Sequence, residues 1–289
     1  MAIPTISGVS GAEVTGTSFQ DYLSSLWDMM FMGRGLTAEI GGQTATNTNA
    51  TLLTTGKDWY GGGYNFDGTA FLDFGDILNV PNGSSYTFAV IFKTTATGAR
   101  PMLARFSQGA SFLGYALRLV NGSVNWIIGD GVGFLQNNDT TGGWNDGSYH
   151  LAIVSGNGSG SVAMWVDNNK STFTANANFS ATSKKFFVGS TQQRTTPNYF
   201  DGDIGVVYAN IGGGLLSDAD ATALYNATHF AINGSYDLAT INSSTSATLN
   251  ATPVTGETVY VYNKDGSDSY LMPSVLTSNI GTIKQFVGF

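Results

Sequence analysis

The chain has no cysteine, and only 12 Lys+Arg and 20 Asp+Glu are spread over its 289 residues. Without thiols there is no disulfide, no thiolate nucleophile and no Cys-based metal site. Charged residues make up 11% of the chain, against roughly 25% in an average globular domain. The formal net charge is −8 and no cluster of Lys or Arg interrupts it, so no nucleic-acid partner and no anionic membrane surface is expected. No apolar run reaches the ~18 residues of a membrane span. Residues 1–13 lack the basic and apolar regions of a secretory leader. The expectation is a protein that works in the cytosol or leaves the cell inside an assembled particle.

The scarce residue types also bear on catalysis. Histidine occurs twice, at His150 and His229, and no G-x-S-x-G elbow is present, so a nucleophilic triad is not expected. Glutamate occurs three times, at Glu13, Glu39 and Glu257, all outside the strand-rich middle of the chain. A retaining glycosidase needs two carboxylates about 5–5.5 Å apart. The nearest substitute is Asp201 and Asp203, which would share a strand face, and an enzyme is not expected.

What the chain does contain is glycine, 38 residues, and aromatics, 12%. Nine Asn-Gly and Asp-Gly pairs, among them Asp67-Gly68, Asn121-Gly122 and Asp201-Gly202, place much of the glycine in tight turns. Between them lie short β-branched and aromatic runs: Tyr86–Phe92, Tyr115–Val120, Val124–Ile128, Tyr149–Val154, Val162–Val166, Lys185–Val188 and Ile204–Tyr208. Several alternate, with Leu117 and Leu119 set against Arg118, which predicts sheets with one face buried. Many short strands separated by turn signals predict an all-β antiparallel sandwich.

Two segments carry helical spacing. Ser18–Met32 places Phe19, Tyr22, Leu23, Leu26, Trp27 and Met30 on one stripe, which packs on its own sandwich or on another subunit; Phe19, Trp27 and Met30 are the candidate oligomer contacts. Ser217–Thr228 begins with an N-cap serine and two aspartates. Gly35–Gly56 and Asn233–Pro253, rich in Thr, Asn, Ser or Gly, suggest linkers or excursions, and three short β-like runs follow over 258–289. The expected organisation is an N-terminal arm at 1–56, a sandwich at 57–231 and a small β-rich tail at 232–289.

The middle of the chain resembles a known family. Tyr64–Phe74, with its Phe66-Asp67-Gly68, is similar to the opening strand of concanavalin A-like (laminin G-like) jelly-roll domains. Tyr86–Phe92, Asn145–Val154, Gly160–Asp167, Phe186–Ser190, Phe200–Val207 and Leu216–Ala219 resemble the family's later motifs in the right order. Gly205 and Val206 stand where the family has an Asp-Glu pair, and Asn168 where it has Gly. The resemblance implies a jelly-roll sandwich, a scaffold shared by lectins, glycosidases and structural modules.

It also implies candidate sites. Laminin G-like domains often hold one Ca²⁺ at the sandwich rim on Asp, Asn and carbonyl oxygens. Asp67 and Asp201 are the foremost candidates here, with Asp73, Asp76, Asp130 and Asp139 behind them. A sugar site needs an aromatic platform with amide or carboxylate partners, for which Trp126, Trp144, Asn198 and Tyr199 are candidates. Gly129–Gly133 superficially resembles a phosphate loop, but it lies between strands rather than opening a helix.

Domains with this resemblance occur in bacteriophage virion proteins. The expected function is therefore a non-enzymatic structural or adhesion protein of an assembled particle, of head-decoration or tail-fibre type. Its expected partners are other particle subunits, further copies of itself and host or environmental glycans. A secreted carbohydrate-binding lectin is the alternative, and a glycosidase the third reading.

Overall fold

The computed structural model describes residues 28–225 and 240–248, except 32, 34, 39–40, 54–62, 108–112, 131–132, 176–183, 192–198, 223 and 244–245. It is a sandwich of two antiparallel sheets. Sheet I runs in the order β13 (Asn169–Thr174), β12 (Ser161–Val166), β11 (Tyr149–Gly156), β6 (Tyr86–Lys93), β15 (Asp201–Ile211), β4 (Tyr64–Asp67) and β3 (Thr51–Leu52). β1 (Met29–Phe31) pairs with the second half of β15, whose first half pairs with β4. Sheet II runs β10 (Phe134–Asn138), β9 (Ser123–Asp130), β8 (Leu113–Val120), β7 (Ala99–Ser107), β14 (Phe187–Val188), β5 (Phe71–Asp73) and β2 (Thr46–Thr48). A separate hairpin joins β16 (Thr240–Ser243) to β17 (Ser246–Thr248).

Turn chemistry fixes the hairpins. Asn121 and Gly122 both have positive φ between β8 and β9, and Asp167 and Asn168 do so between β11's partner β12 and β13. A two-residue turn with both residues in that region matches the twist of its strands. Asn168, standing where the resembling family has Gly, is itself left-handed, a conformation that asparagine tolerates.

Between the sheets lies an aromatic core. Phe88 lies tilted 4.6 Å from Tyr115, and Trp126 stacks 5.5 Å from Tyr86 and 5.6 Å from Tyr115, measured between ring centroids. Their polar tips are satisfied: Tyr115 donates to the Leu78 carbonyl at 2.8 Å and Trp126 Nε1 donates to the Tyr86 hydroxyl at 3.2 Å. Burial pushes both phenols well above their ordinary pKa.

Three expectations are corrected. Alternation predicted one buried face per sheet, but β11 is buried at every residue and β6 at all but its last. The second covering layer is the segment capped by Ser217. Residues 218–222 are helical, the Ser217 hydroxyl accepts from Asp220 N at 3.1 Å, and Ala221 and Leu224 pack with Ile91, Leu151, Ile153 and Trp165 on sheet I's outer face. Secondly, Met29–Phe31, expected as the end of a helix, is a strand. Its register with Val207–Ala209 and the burial of Met29 and Phe31 override the helical spacing; residues 1–27 lie outside the described residues. Thirdly, Gly35–Gly56, expected as a linker or an excursion, contributes β2 and β3, with Ala38, Ala45 and Ala50 buried, so the sheets begin before residue 57. The β-like runs expected after residue 258 lie outside the described residues.

Candidate functional site

Trp126, expected as a sugar platform, is 1% exposed and both ring faces look into the core, so it offers no surface to a ligand. Period two already placed it with Val124 and Ile128, which share its face. Trp144 is also buried; its indole N–H donates to Asp139 Oδ2 at 2.9 Å and its ring meets His150 edge-on at 5.0 Å. Tyr199 is half-buried against Phe71, and its carbonyl accepts from Arg100 at 3.3 Å. Asn198, Phe19 and Trp27 lie outside the described residues, and Met30 faces Tyr208 in register.

Most calcium candidates are already engaged. Asp139 accepts Val124 N at 2.5 Å on one oxygen and Gly142 N, Thr141 N and the Trp144 indole on the other. Asp76 pairs with Arg105 at 2.8 Å and Asp73 with Lys185 at 2.7 Å. Asp67 and Asp201 are brought directly opposite one another across β4 and β15. Asp67 accepts the Thr69 hydroxyl at 2.7 Å and Thr69 N at 2.9 Å, bonds that hold its carboxyl below the usual range. Among the described residues no group of three or more His, Asp or Glu is placed to hold a metal ion.

The carboxylate pair Asp201 and Asp203 sits on one strand, but Asp203 accepts Asn65 Nδ2 and the Tyr149 hydroxyl, each at 2.7 Å, one on each oxygen. All three glutamates lie outside the described residues. His150 is held between two aspartates, with Nδ1 2.6 Å from Asp167 and Nε2 3.1 Å from Asp146. Burial pushes its pKa down, but the hydrogen bonds and charges of Asp167 and Asp146 outweigh it and the net shift is upward. Asp167 also accepts Leu151 N at 2.8 Å. This cluster fastens the β12–β13 turn to β11.

The arrangement that presents chemistry outward is on sheet II, where residues facing away from the core line up across β8, β9 and β10. Arg118 stands opposite Asn125, and Asn125 opposite Asn138. Arg118 donates from Nε to Asn125 Oδ1 at 2.7 Å and from Nη2 to Gln136 Oε1 at 2.9 Å. Asn125 in turn donates to Asn138 Oδ1 at 2.8 Å and to the Asn137 carbonyl at 3.1 Å. A guanidinium only donates, so the amide atoms facing it must be oxygens, and that fixes the orientation of each amide along the row. Asn125 is 2% exposed and anchors the row, whereas Gln136 and Asn138 are exposed and Arg118 is half-buried. Desolvation lowers the pKa of Arg118 from its ordinary value.

Phe134 shares this face of β10 with Gln136 and Asn138, two and four residues away, and the residue is 40% exposed. Towards the centre of the sheet, Ala104, Phe106, Ala116 and Ile127 form a small buried cluster of their own. The accessible part of this face is therefore its β10 edge. Sequence reasoning set Arg118 against Leu117 and Leu119 without drawing the consequence: an arginine on the outward parity of a strand, opposite an outward asparagine, was the available signal.

No protein-family model matches the chain, and no curated protein matches it. Solved structures do. Domain 4 of AbnA, a GH43 extracellular arabinanase from Geobacillus stearothermophilus solved in complex with arabinotriose, matches with a TM-score of 0.53 at 15% identity, covering 69% of this chain and 98% of the domain. The binding domain of Paraclostridial Mosquitocidal Protein 1 matches with a TM-score of 0.51 at 10% identity, covering 69% and 52%. The binding domain of botulinum neurotoxin serotype G matches at 0.50 and 10%, covering 69% and 50%. The chain thus spans about half the length of the toxin domains it matches. At these identities the likeness shows the fold, an all-β jelly-roll sandwich.

Proposed function

We propose that this chain is a non-enzymatic recognition module that binds carbohydrate on the β10 edge of sheet II. The carrying observation is the pre-oriented row Arg118–Asn125–Asn138 with Gln136, beside the exposed ring of Phe134. An apolar ring takes the face of a pyranose while fixed amides take its hydroxyls, and holding those amides before binding lowers the entropy cost of association. The arabinanase domain's complex with arabinotriose supports the reading as an analogy of fold. In a glycan-array screen the wild type gives specific hits, and Gln136→Ala combined with Phe134→Ala abolishes them without changing the melting temperature. A blank array overturns the reading.

The finer form of the proposal places the module on an assembled particle of bacteriophage type, with Phe19, Trp27 and Met30 making contacts between copies or to other subunits. It is supported by the motif resemblance and by a composition low in charge and rich in Gly, Asn, Thr and Ser. Under it, Phe19→Ser with Trp27→Ser lowers incorporation into particles, measured by co-purification; unchanged incorporation removes that assignment.

A further inference from the structure

Every hydrogen bond in the sheet II row runs in one direction. Arg118 gives to Asn125 and Gln136, and Asn125 gives to Asn138. The amide oxygens are thereby turned inward, and what remains for a ligand is N–H. Gln136 Nε2 and Asn138 Nδ2 donate to no described group. Of the five guanidinium N–H bonds, Nε and one on Nη2 are engaged, which leaves the end-on edge formed by Nη1 and the second Nη2 hydrogen. That is the edge on which a carboxylate binds with two parallel hydrogen bonds.

The charge is also uncompensated. Arg105 of the same sheet, 3% exposed, is paired with Asp76 at 2.8 Å, Lys170 and Lys185 each pair with an aspartate, and Arg100 donates to the Thr97 and Tyr199 carbonyls. Among the described residues Arg118 forms no ion pair; its partners are neutral amides. A half-buried cation with only neutral partners gains from an anion delivered by a ligand, and the gain is larger than at a fully solvated site.

Resting on the carbohydrate-binding reading, we infer that the site takes a sugar acid: a glycan whose ring lies on Phe134 and whose carboxylate meets the end-on edge of Arg118, with Gln136 and Asn138 donating to neighbouring oxygens. Phe134 and Gln136 are one strand repeat apart, roughly 7 Å, so a sugar ring on Phe134 lies next to the amide on which the Arg118 guanidinium rests. Uronates and sialates share this chemistry.

The test is titration calorimetry on the full chain with two matched pairs: an oligogalacturonate against its methyl ester, and sialyllactose against lactose. Binding of a free acid roughly tenfold or more tighter than its neutral counterpart is expected, and the pair that shows it identifies uronate or sialate. Arg118→Gln should level the two members of that pair, and Arg118→Lys should restore part of the preference. The wild-type comparison stands even if a variant folds poorly. Equal binding of acid and neutral sugar overturns the inference and leaves the carbohydrate reading intact. Binding of none of the four likewise overturns the inference, and the glycan array then decides the carbohydrate reading. Competition by polyglutamate as strong as by the free sugar overturns the assignment to a sugar, because the carboxylate alone would then be read.

Discussion

The outer faces of the two sheets differ. On sheet I the outward residues Ile91, Leu151, Ile153 and Trp165 are apolar and are sealed by the segment carrying Ala221 and Leu224. On sheet II the outward residues at the β10 edge are Arg118, Asn125, Gln136 and Asn138, bonded to one another and open to solvent on one side. The same pleat supports both. Sheet I's outer face adds a second hydrophobic layer and with it stability; sheet II's has only the small buried cluster of Ala104, Phe106, Ala116 and Ile127 at its centre and, at its edge, polar groups held in fixed positions with donors available. Stability and recognition are thus assigned to opposite sides of one core.

The comparison can be broken most readily at Trp165. Its side chain is 4% exposed beneath the covering layer, so Trp165→Ala should cost about 3–5 kcal/mol in denaturant unfolding. A loss near zero would mean that sheet I is not sealed. A smaller effect is expected at the cap: Ser217→Ala removes the acceptor for Asp220 N and should cost about 1 kcal/mol, whereas Ser217→Asp should retain most of it. An unchanged melt in the alanine variant would remove the cap from the account of this layer.

At the rim joining the faces, His150 gives a pH signature. Its pKa is raised in the folded chain above the ordinary 6.5. Its contribution is therefore fully present below that value and fades as pH rises through the raised one. Wild type should melt at a higher temperature near pH 6 than near pH 8 by more than His150→Gln does; parallel curves would show that the imidazolium does not stabilise the fold. The smallest effect is expected on sheet II, where Arg118→Gln should move the melting midpoint little, since its partners are neutral amides, Gln136 exposed and Asn125 keeping its own bonds to Asn138 and Asn137. A large loss there would erase the contrast between the faces.

Much of the fold was legible because period-two patterning and turn chemistry act locally. Tyr86–Phe92 and Tyr149–Val154 are strands, and Asn121-Gly122 is the turn it was expected to be. What was not legible depended on partners distant in sequence. Met29–Phe31 carries a helical stripe and becomes a strand because Val207–Ala209 offers it an edge. The glycan candidates were sought among tryptophans, the residue type most useful as a platform, yet Trp126 is the residue a thick aromatic core most needs. The outward row was present in the alternation, but its common direction of hydrogen bonding follows only from the register of three strands.

β15 sits between β6 on one side and β4 and β1 on the other. Its partners precede it by more than a hundred residues: Asn65 meets Asp203, and Met29 meets Ala209. During synthesis, sheet I cannot close until residue 211 has left the ribosome, and until then β6 presents an apolar edge with no strand on one side. Closing such distant pairs requires a large loss of chain entropy before any contact rewards it, so this step should set the folding rate. A nascent chain stalled before β15 would carry the edge most prone to pairing with another copy.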